Sequence, residues 1–218
     1  MALLLNIDTA TESGSIALSR DGKIAMVMVN EDQKDHAAWI HNAIDEMMTQ
    51  SGHSLKELDA VAVTAGPGSY TGLRVGMATA KGLCYALHIP LITESTLKMM
   101  ARAALETIQQ KDVLYCPMID ARRMEVFTAI YDADLNEVLK PQPMILDERS
   151  FSDQSNIIFF GSGSQKFKSL SNASFADVRY NASHLAALAH NKFEMKDFTD
   201  LAYAEPVYLK EFYTHTRK

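Results

Sequence analysis

The chain reads as an α/β protein whose architecture is built twice. Three observations carry that reading. Along the chain the order strand-strand-strand-helix-strand-helix-strand-helix occurs, then occurs again, with a period of about 110 residues. The first strand of each half ends on an acidic residue, Asp8 and then Asp120, followed by small or polar residues. Finally, 218 residues with 47% hydrophobic and 22% charged side chains are enough to bury a real core and are ordinary for a globular protein. The expected division is 1–110 and 111–218, with 203–218 an extended tail.

Each element has a local cause. Leu3 to Ile7 is an apolar run closed by Asp8-Thr9-Ala10-Thr11; Asn6 and Asp8 interrupt it too early for a secretory leader. Gly14 to Ser19 and Lys23 to Asn30 are joined at Asp21-Gly22, a strong hairpin signal. Asp35 to Gln50 carries Ala37, Ile40, Ile44 and Met47 at helical spacing, with Gly52 just past its end. Trp39, Ala43 and Met48 lie off that stripe. Ser54-Leu55-Lys56-Glu57 fits a capping box. Asp59 to Ala65 is a strand that runs into Gly66-Pro67-Gly68, and hydroxyl-bearing Ser69, Tyr70 and Thr71 precede a helix to Leu87. Ile89 to Ile92 is a short strand and Glu94 to Gln109 a helix. In the second half Val113–119, 125–131, 137–145 and 156–160 are strands, Gly161-Ser162-Gly163-Ser164 is a loop, and 183–192 is a helix. A short helix near 147–152, a weak helix after the loop and a strand near 177–180 complete the expectation.

The helix after Gly68 has small residues four apart: Gly72, Gly76 and Ala80. Glycine costs a helix interior about 1 kcal/mol relative to alanine, so this row implies a neighbour that comes very close. A phosphate, a strand or a partner helix would serve.

Several chemistries are disfavoured by residue type and spacing. Net charge is −6 and no run of cations tracks a phosphate backbone, so strong nucleic-acid binding by this chain alone is not expected. Cys84 and Cys116, each without a nearby cysteine, read as buried thiols of a reducing compartment. His36 and His41 are five positions apart, which turns them roughly 140° from each other on a helix; His184 and His190 suit a metal no better. Gly66 to Ser69 lacks the spacing of a serine elbow, and Ser69 or Thr71 reads as a helix cap. Neither glycine loop carries the lysine of a GxxxxGK[ST] phosphate loop. No segment reaches the roughly 18 apolar residues of a membrane span, and a cytoplasmic protein is expected.

The repeated layout is similar to that of the actin-like ATPase and sugar-kinase superfamily (ASKHA, ribonuclease H-like), two βββαβαβα domains with a cleft between them. On that likeness Asp8 would hold a metal through water, and Gly161 and Gly163 would lie beside adenosine, a weak ATP or ADP site. Degenerate or structural use of the same turns is the competing reading.

More specific strings narrow the family. LLLNIDTATESGSIAL, VTAGPGSYTGLRVGMATAKGLCYALHIPL, MIDARRMEVFTAIYD and AEPVYLKEF, spread over the whole chain, resemble the TsaB (YeaZ) proteins of bacteria, formerly grouped as glycoproteases or peptidase M22. That resemblance implies a non-catalytic subunit that supports its paralogue TsaD, with the ATPase TsaE, in making threonylcarbamoyladenosine on tRNA. It further implies a homodimer when the chain is alone, and tRNA met only through the complex. Where TsaD starts a helix with a metal-binding His-x-x-x-His pair, this sequence has Ser95 and Met99, so no catalytic or metal residues are expected. The helices 35–50 and 71–87 are implied as the docking elements, with Trp39, Gly72, Leu73, Gly76, Met77, Ala80, Lys81 and Cys84 at the partner surface. An independent nucleotide-dependent kinase or ATPase is the alternative.

Overall fold

The computed structural model describes residues 1–30 and 35–210; the last part of the expected tail, 211–218, lies outside the described residues. Strands β1 (Leu3–Asp8), β2 (Gly14–Arg20), β3 (Lys23–Asn30), β4 (Ala60–Gly66) and β5 (Leu91–Ser95) form one sheet in the order β3-β2-β1-β4-β5. Strands β6 (Leu114–Asp120), β7 (Glu125–Tyr131), β8 (Glu137–Ile145), β9 (Ile157–Phe160) and β10 (Ser174–Phe175) form the second, read from its other edge as β8-β7-β6-β9-β10. In each, the first three strands are antiparallel and the last two join parallel. The duplication read from element order is therefore a duplication of topology.

Five helices are described: α1 (His36–Ser51), α2 (Tyr70–Leu87), α3 (Thr96–Ile108), α4 (Ser164–Lys168) and α5 (Ala182–Glu194). Alternation along the strands sets the layers, since successive side chains point to opposite faces. Leu3, Leu5 and Ile7 join Ile40, Ile44, Met47 and Met77 in a core under α1 and α2. Ala2 and Leu4 turn the other way, onto Leu185, Leu188 and Ala189 of α5. In the second sheet Tyr115, Ala129 and Tyr131 face Leu97, Met100 and Ala104 of α3, while Cys116, Met118 and Val126 face Phe167 of α4. The strands divide at residue 110, but the helices do not: α3 packs between the sheets, against β4 and β5 as well as β6 and β7, and α5 packs on the first. Lys192 of α5 donates to the Thr93 carbonyl (2.8 Å) and pairs with buried Glu94.

Helix ends follow the sequence. Ser69 Oγ accepts from the Gly72 amide and Ser95 Oγ from the Lys98 amide, and Gly52 ends α1 with φ 71°. Glu57 Oε2 accepts from the Ser54 amide at 2.7 Å, as in a capping box. Two expectations need correcting. The stretch 147–153 is a run of turns, because Asp147 accepts from the Arg149 amide and the Ser150 hydroxyl, local bonds that compete with a helix. The final strand lies at Ser174–Phe175, not 177–180, because Val178 and Tyr180 are packed into apolar clusters beside α3 and α5.

The segment 203–210 has no helix or strand and returns across the first half. The Val207 amide donates to the Ala65 carbonyl at 2.7 Å, Lys81 Nζ to the Ala204 carbonyl at 2.8 Å, and Arg74 Nε to the Tyr208 hydroxyl at 3.1 Å.

Candidate functional site

The turns after β1 and β6 face each other across a cleft of about 800 Å³, lined by Ala10, Thr11, Glu12, Ser69 and Gly72 on one side and Asp120, Arg122 and Ser162 on the other. The first turn is closed by its own backbone. A Cβ on Gly72 would stand 2.0 Å from the Thr9 carbonyl oxygen, and one on Gly76 would stand 2.4 Å from Thr9 Oγ1. Thr9 Oγ1 donates to the Gly72 carbonyl at 2.7 Å, and the Ser69 amide donates to the Ala10 carbonyl at 2.7 Å. The close neighbour that the Gly72-Gly76-Ala80 row demands is thus the end of β1.

This corrects the expected partner surface. Leu73, Met77, Ala80 and Cys84 are all buried, Met77, Ala80 and Cys84 in the core beneath α2, and Gly72 and Gly76 are buried with them. They cannot be exposed contributors because the helix needs that face for its own sheet. Trp39 is half-buried against the same core, and Lys81 is half-exposed with its ammonium on tail carbonyls. The outward side of α2 carries Arg74, Ala78, Gly82, Tyr85 and Ala86 instead. Tyr85 is 76% exposed, and a Cβ on Gly82 would meet no atom within 4 Å. Ala37, Ala38, His41 and Asn42 are the corresponding exposed positions of α1.

Asp8 is 1% exposed; its Oδ1 accepts from the Thr64 hydroxyl at 2.7 Å and from the Ala10 amide at 3.1 Å. Burial pushes its carboxyl above the ordinary value, against the opposing pull of those two donors and of the nearby His36 charge. A carboxylate so enclosed does not suit a metal held through water. Gly161 and Gly163 are likewise taken up by strand packing: their Cβ positions lie 2.5 Å from the Met118 carbonyl oxygen and 2.7 Å from Val126 Cγ1. The residues expected to hold a nucleotide and its metal do not fit that group.

The second turn is different. Asp120 Oδ1 pairs with Lys166 Nζ at 2.6 Å and accepts from the Arg122 amide. Partial burial alone would raise the Asp120 carboxyl, but Lys166 and Arg122 together bring it below the ordinary value. Glu125 pairs with Lys210. Burial raises the Cys84 thiol to about 11 and the Cys116 thiol to about 12, so neither is a poised nucleophile. Among the described residues no group of three or more His, Cys, Asp or Glu could hold a metal ion.

Similarity to known proteins then decides the family. Residues 27–211 match the family model described as "TsaD: tRNA N6-adenosine threonylcarbamoyltransferase". The Escherichia coli (strain K12) "tRNA threonylcarbamoyladenosine biosynthesis protein TsaB" is 33% identical, with 95% of this chain and 94% of the relative covered. This chain belongs to the TsaB family. "YeaZ from Pseudomonas aeruginosa" superposes with a TM-score of 0.85 at 24% identity, over 96% of this chain and 100% of that one, which shows a shared fold. The "Activator of the 2-Hydroxyisocaproyl-CoA Dehydratase from Clostridium difficile with bound ADPNP" aligns over 91% of this chain and 98% of its own, at 9% identity and TM-score 0.55. The fold is thus the actin-like ATPase fold.

Within this TsaB-family chain, the two positions noted in place of histidines have structural work. Ser95 caps α3, and Met99 is fully buried among Leu4, Ile92 and Leu185. Sequence reading missed Thr9, Thr64 and the returning tail. The hydroxyls carried no pattern of their own, whereas the tail was visible only as an extended segment without a destination. Arg122 and Arg123 stood inside a quoted motif with no role given to them.

Proposed function

We propose that the chain serves tRNA threonylcarbamoyladenosine biosynthesis as a non-catalytic subunit that binds and supports TsaD. One observation carries this: similarity to TsaB proteins extends over essentially the full length of both chains. The non-catalytic role is supported by the structural use of Ser95 and Met99 and by the burial of Asp8. Docking is assigned to the outward side of α1 and α2, where Ala78, Gly82 and Tyr85 leave small and apolar surface. Small residues let a partner helix approach closely. A second copy of the chain occupies the same face when TsaD is absent, and the ATPase TsaE completes the assembly. The setting is the cytoplasm; no helix among the described residues is long and apolar enough to cross a membrane.

The test is to mix the purified chain with TsaD of the same organism and measure mass by light scattering after size exclusion. Co-elution as a heterodimer is expected, lost in Gly82→Arg, with the chain alone running at the mass of two copies. Two folded proteins that never co-elute end this reading. An independent nucleotide-dependent enzyme has the cleft of about 800 Å³ in its favour and buried Asp8 against it. Titration calorimetry with ATP and magnesium is expected to show no heat at millimolar nucleotide, and micromolar binding would reverse that.

A further inference from the structure

The turn between β6 and β7 carries two arginine side chains into solution. Arg122 and Arg123 have φ of 69° and 49°, left-handed backbone that side chains other than glycine rarely adopt. The turn is nevertheless well tied: the Arg122 amide donates to Asp120 Oδ1 at 2.6 Å, and backbone bonds run from Glu125 to Arg122 and from Ala121 to Glu125, both 3.1 Å. Both side chains are exposed, and neither guanidinium has a hydrogen bond or ion pair among the described residues. Of the nearby carboxylates, Asp120 is paired with Lys166 and also feels the Arg122 charge, Glu125 is paired with Lys210, and Glu12 lines the same cleft. Two fixed positive charges therefore stand at the cleft on a chain whose net charge is −6.

Their surroundings narrow the ligand. The arginines line a groove of about 810 Å³ whose opposite wall holds Tyr70 and Tyr208. Those rings lie 5.3 Å apart, and the Arg74 guanidinium sits 3.9 Å above Tyr70. Guanidinium forks match phosphate oxygens two at a time, which a lysine ammonium does not. The tyrosines are engaged with each other and with Arg74, so the recognition falls to the Arg122 and Arg123 forks and the ligand group they fit is a phosphate. A peptide adding to the neighbouring sheet edge is less well served: β8 carries Pro141 and Pro143, which offer it no N–H.

We infer that the Arg122–Arg123 turn is this chain's own contact with tRNA, gripping a backbone phosphate once the complex with TsaD has formed. The inference rests on the function proposed above. Two arginines are too few to bind RNA against the net charge of the free chain, so their contribution is to hold tRNA that the assembled complex has already recruited.

The experiment uses the assembled complex and an unmodified, end-labelled tRNA transcript read by fluorescence polarisation across a salt series. Arg122→Asn with Arg123→Asn removes both charges while keeping residues that tolerate left-handed backbone. Arg122→Lys with Arg123→Lys keeps the charge and removes the forks. The asparagine pair is expected to weaken tRNA binding about tenfold at moderate salt and to reduce the slope of log affinity against log salt by about one. The lysine pair is expected to restore that slope and to recover only part of the affinity. Size exclusion with TsaD should be unchanged in both. Wild-type tRNA affinity at every salt concentration overturns the inference while leaving the proposed function standing. Loss of co-elution instead makes the turn a protein-docking surface and also overturns it. Failure of the wild-type chain to co-elute removes the function on which the inference rests.

Discussion

The turns after β1 and β6 occupy equivalent places in a repeated topology, and the chain puts them to different use. After β1 the backbone is pressed onto α2: Thr9 meets Gly72 and Gly76, Ala10 accepts from Ser69, and Asp8 is sealed beneath. After β6 the turn stays open: Asp120 is 45% exposed at its side chain, the largely covered Lys166 pairs with it, and two arginines project. The helices explain the asymmetry. α2 (Tyr70–Leu87) presents a long small-residue face to its turn, whereas its counterpart α4 (Ser164–Lys168) is barely one turn long. The lesson is that glycines before a helix mark a close approach without saying who approaches. In this chain both glycine loops approach the chain's own strands, and the ligand-facing chemistry sits in the turn without glycine.

The largest effect that would break this comparison is at Gly72. Gly72→Val places a branched side chain where the Thr9 carbonyl oxygen already stands, 2.0 Å from the Cβ position. That obstacle is backbone, so relief requires moving the turn after β1 or α2. We expect a loss of about 3 kcal/mol, or no soluble protein, by urea denaturation. Gly82→Ala on the outer face of the same helix is the control; it meets no atom within 4 Å and should gain about 0.5–1 kcal/mol from helix propensity. Equal losses at the two positions would mean that α2 does not lie on the turn.

Next in size is Thr64→Val, which removes the hydroxyl donated to buried Asp8. Leaving a buried carboxyl short of a donor costs about 2 kcal/mol. The pH dependence has a definite sign. Because burial raises the folded carboxyl above its ordinary value of 3.8, its contribution is most favourable below that value. It is lost as pH rises through the folded value. The valine variant raises the folded value further, so its deficit at pH 7 should exceed its deficit at pH 4. A deficit independent of pH would place the effect in packing alone.

In the second half, Gly163→Ala tests whether the looser turn is also the less crowded one. Its Cβ would lie 2.7 Å from Val126 Cγ1 and 3.1 Å from the Ile119 carbonyl carbon. A side-chain methyl can yield by rotation where a carbonyl cannot, so the expected loss is about 1–2 kcal/mol, below that at Gly72.

Much of this was legible in the sequence, and the remainder failed for identifiable reasons. Element order gave the duplicated sheets, because apolar runs such as Leu3–Ile7 and hairpin signals such as Asp21-Gly22 are local. The spacing of Gly72 and Gly76 revealed a close neighbour, since a helix interior tolerates glycine only for such a cause. Its identity was not legible, because Thr9 is 63 residues from Gly72 and hydroxyls leave no periodic trace. For the same reason Leu73, Met77 and Cys84 were assigned outward: a stripe of apolar residues says which side of a helix is greasy, not whether the chain or a partner covers it. The placement of α3 between the two sheets and of α5 on the first is a third such case, with Met99 and Leu185 sharing one core that neither helix shows alone.

The smallest effect is the one that bears most directly on the open turn. Lys166→Met removes the ammonium that pairs with Asp120 and donates to the Glu125 carbonyl. Since the Asp120 side chain is 45% exposed, solvent screening limits the stability loss to about 0.5–1 kcal/mol. Here the sign is opposite to that at Asp8. Asp120 is held below its ordinary value of 3.8, so its contribution is present above that value and lost as pH falls through the lowered one. Wild type and variant should therefore differ at pH 6 and draw together in acid, as for Thr64→Val, because each substitution removes a group that favours the charged carboxyl. The contrast between the turns lies in the carboxylates' own contributions, which fall with rising pH at sealed Asp8 and grow with rising pH at solvent-open Asp120. A Lys166→Met deficit that persists unchanged in acid would show that the ammonium is not what holds Asp120 charged, and the electrostatic account of the open turn would have to be abandoned.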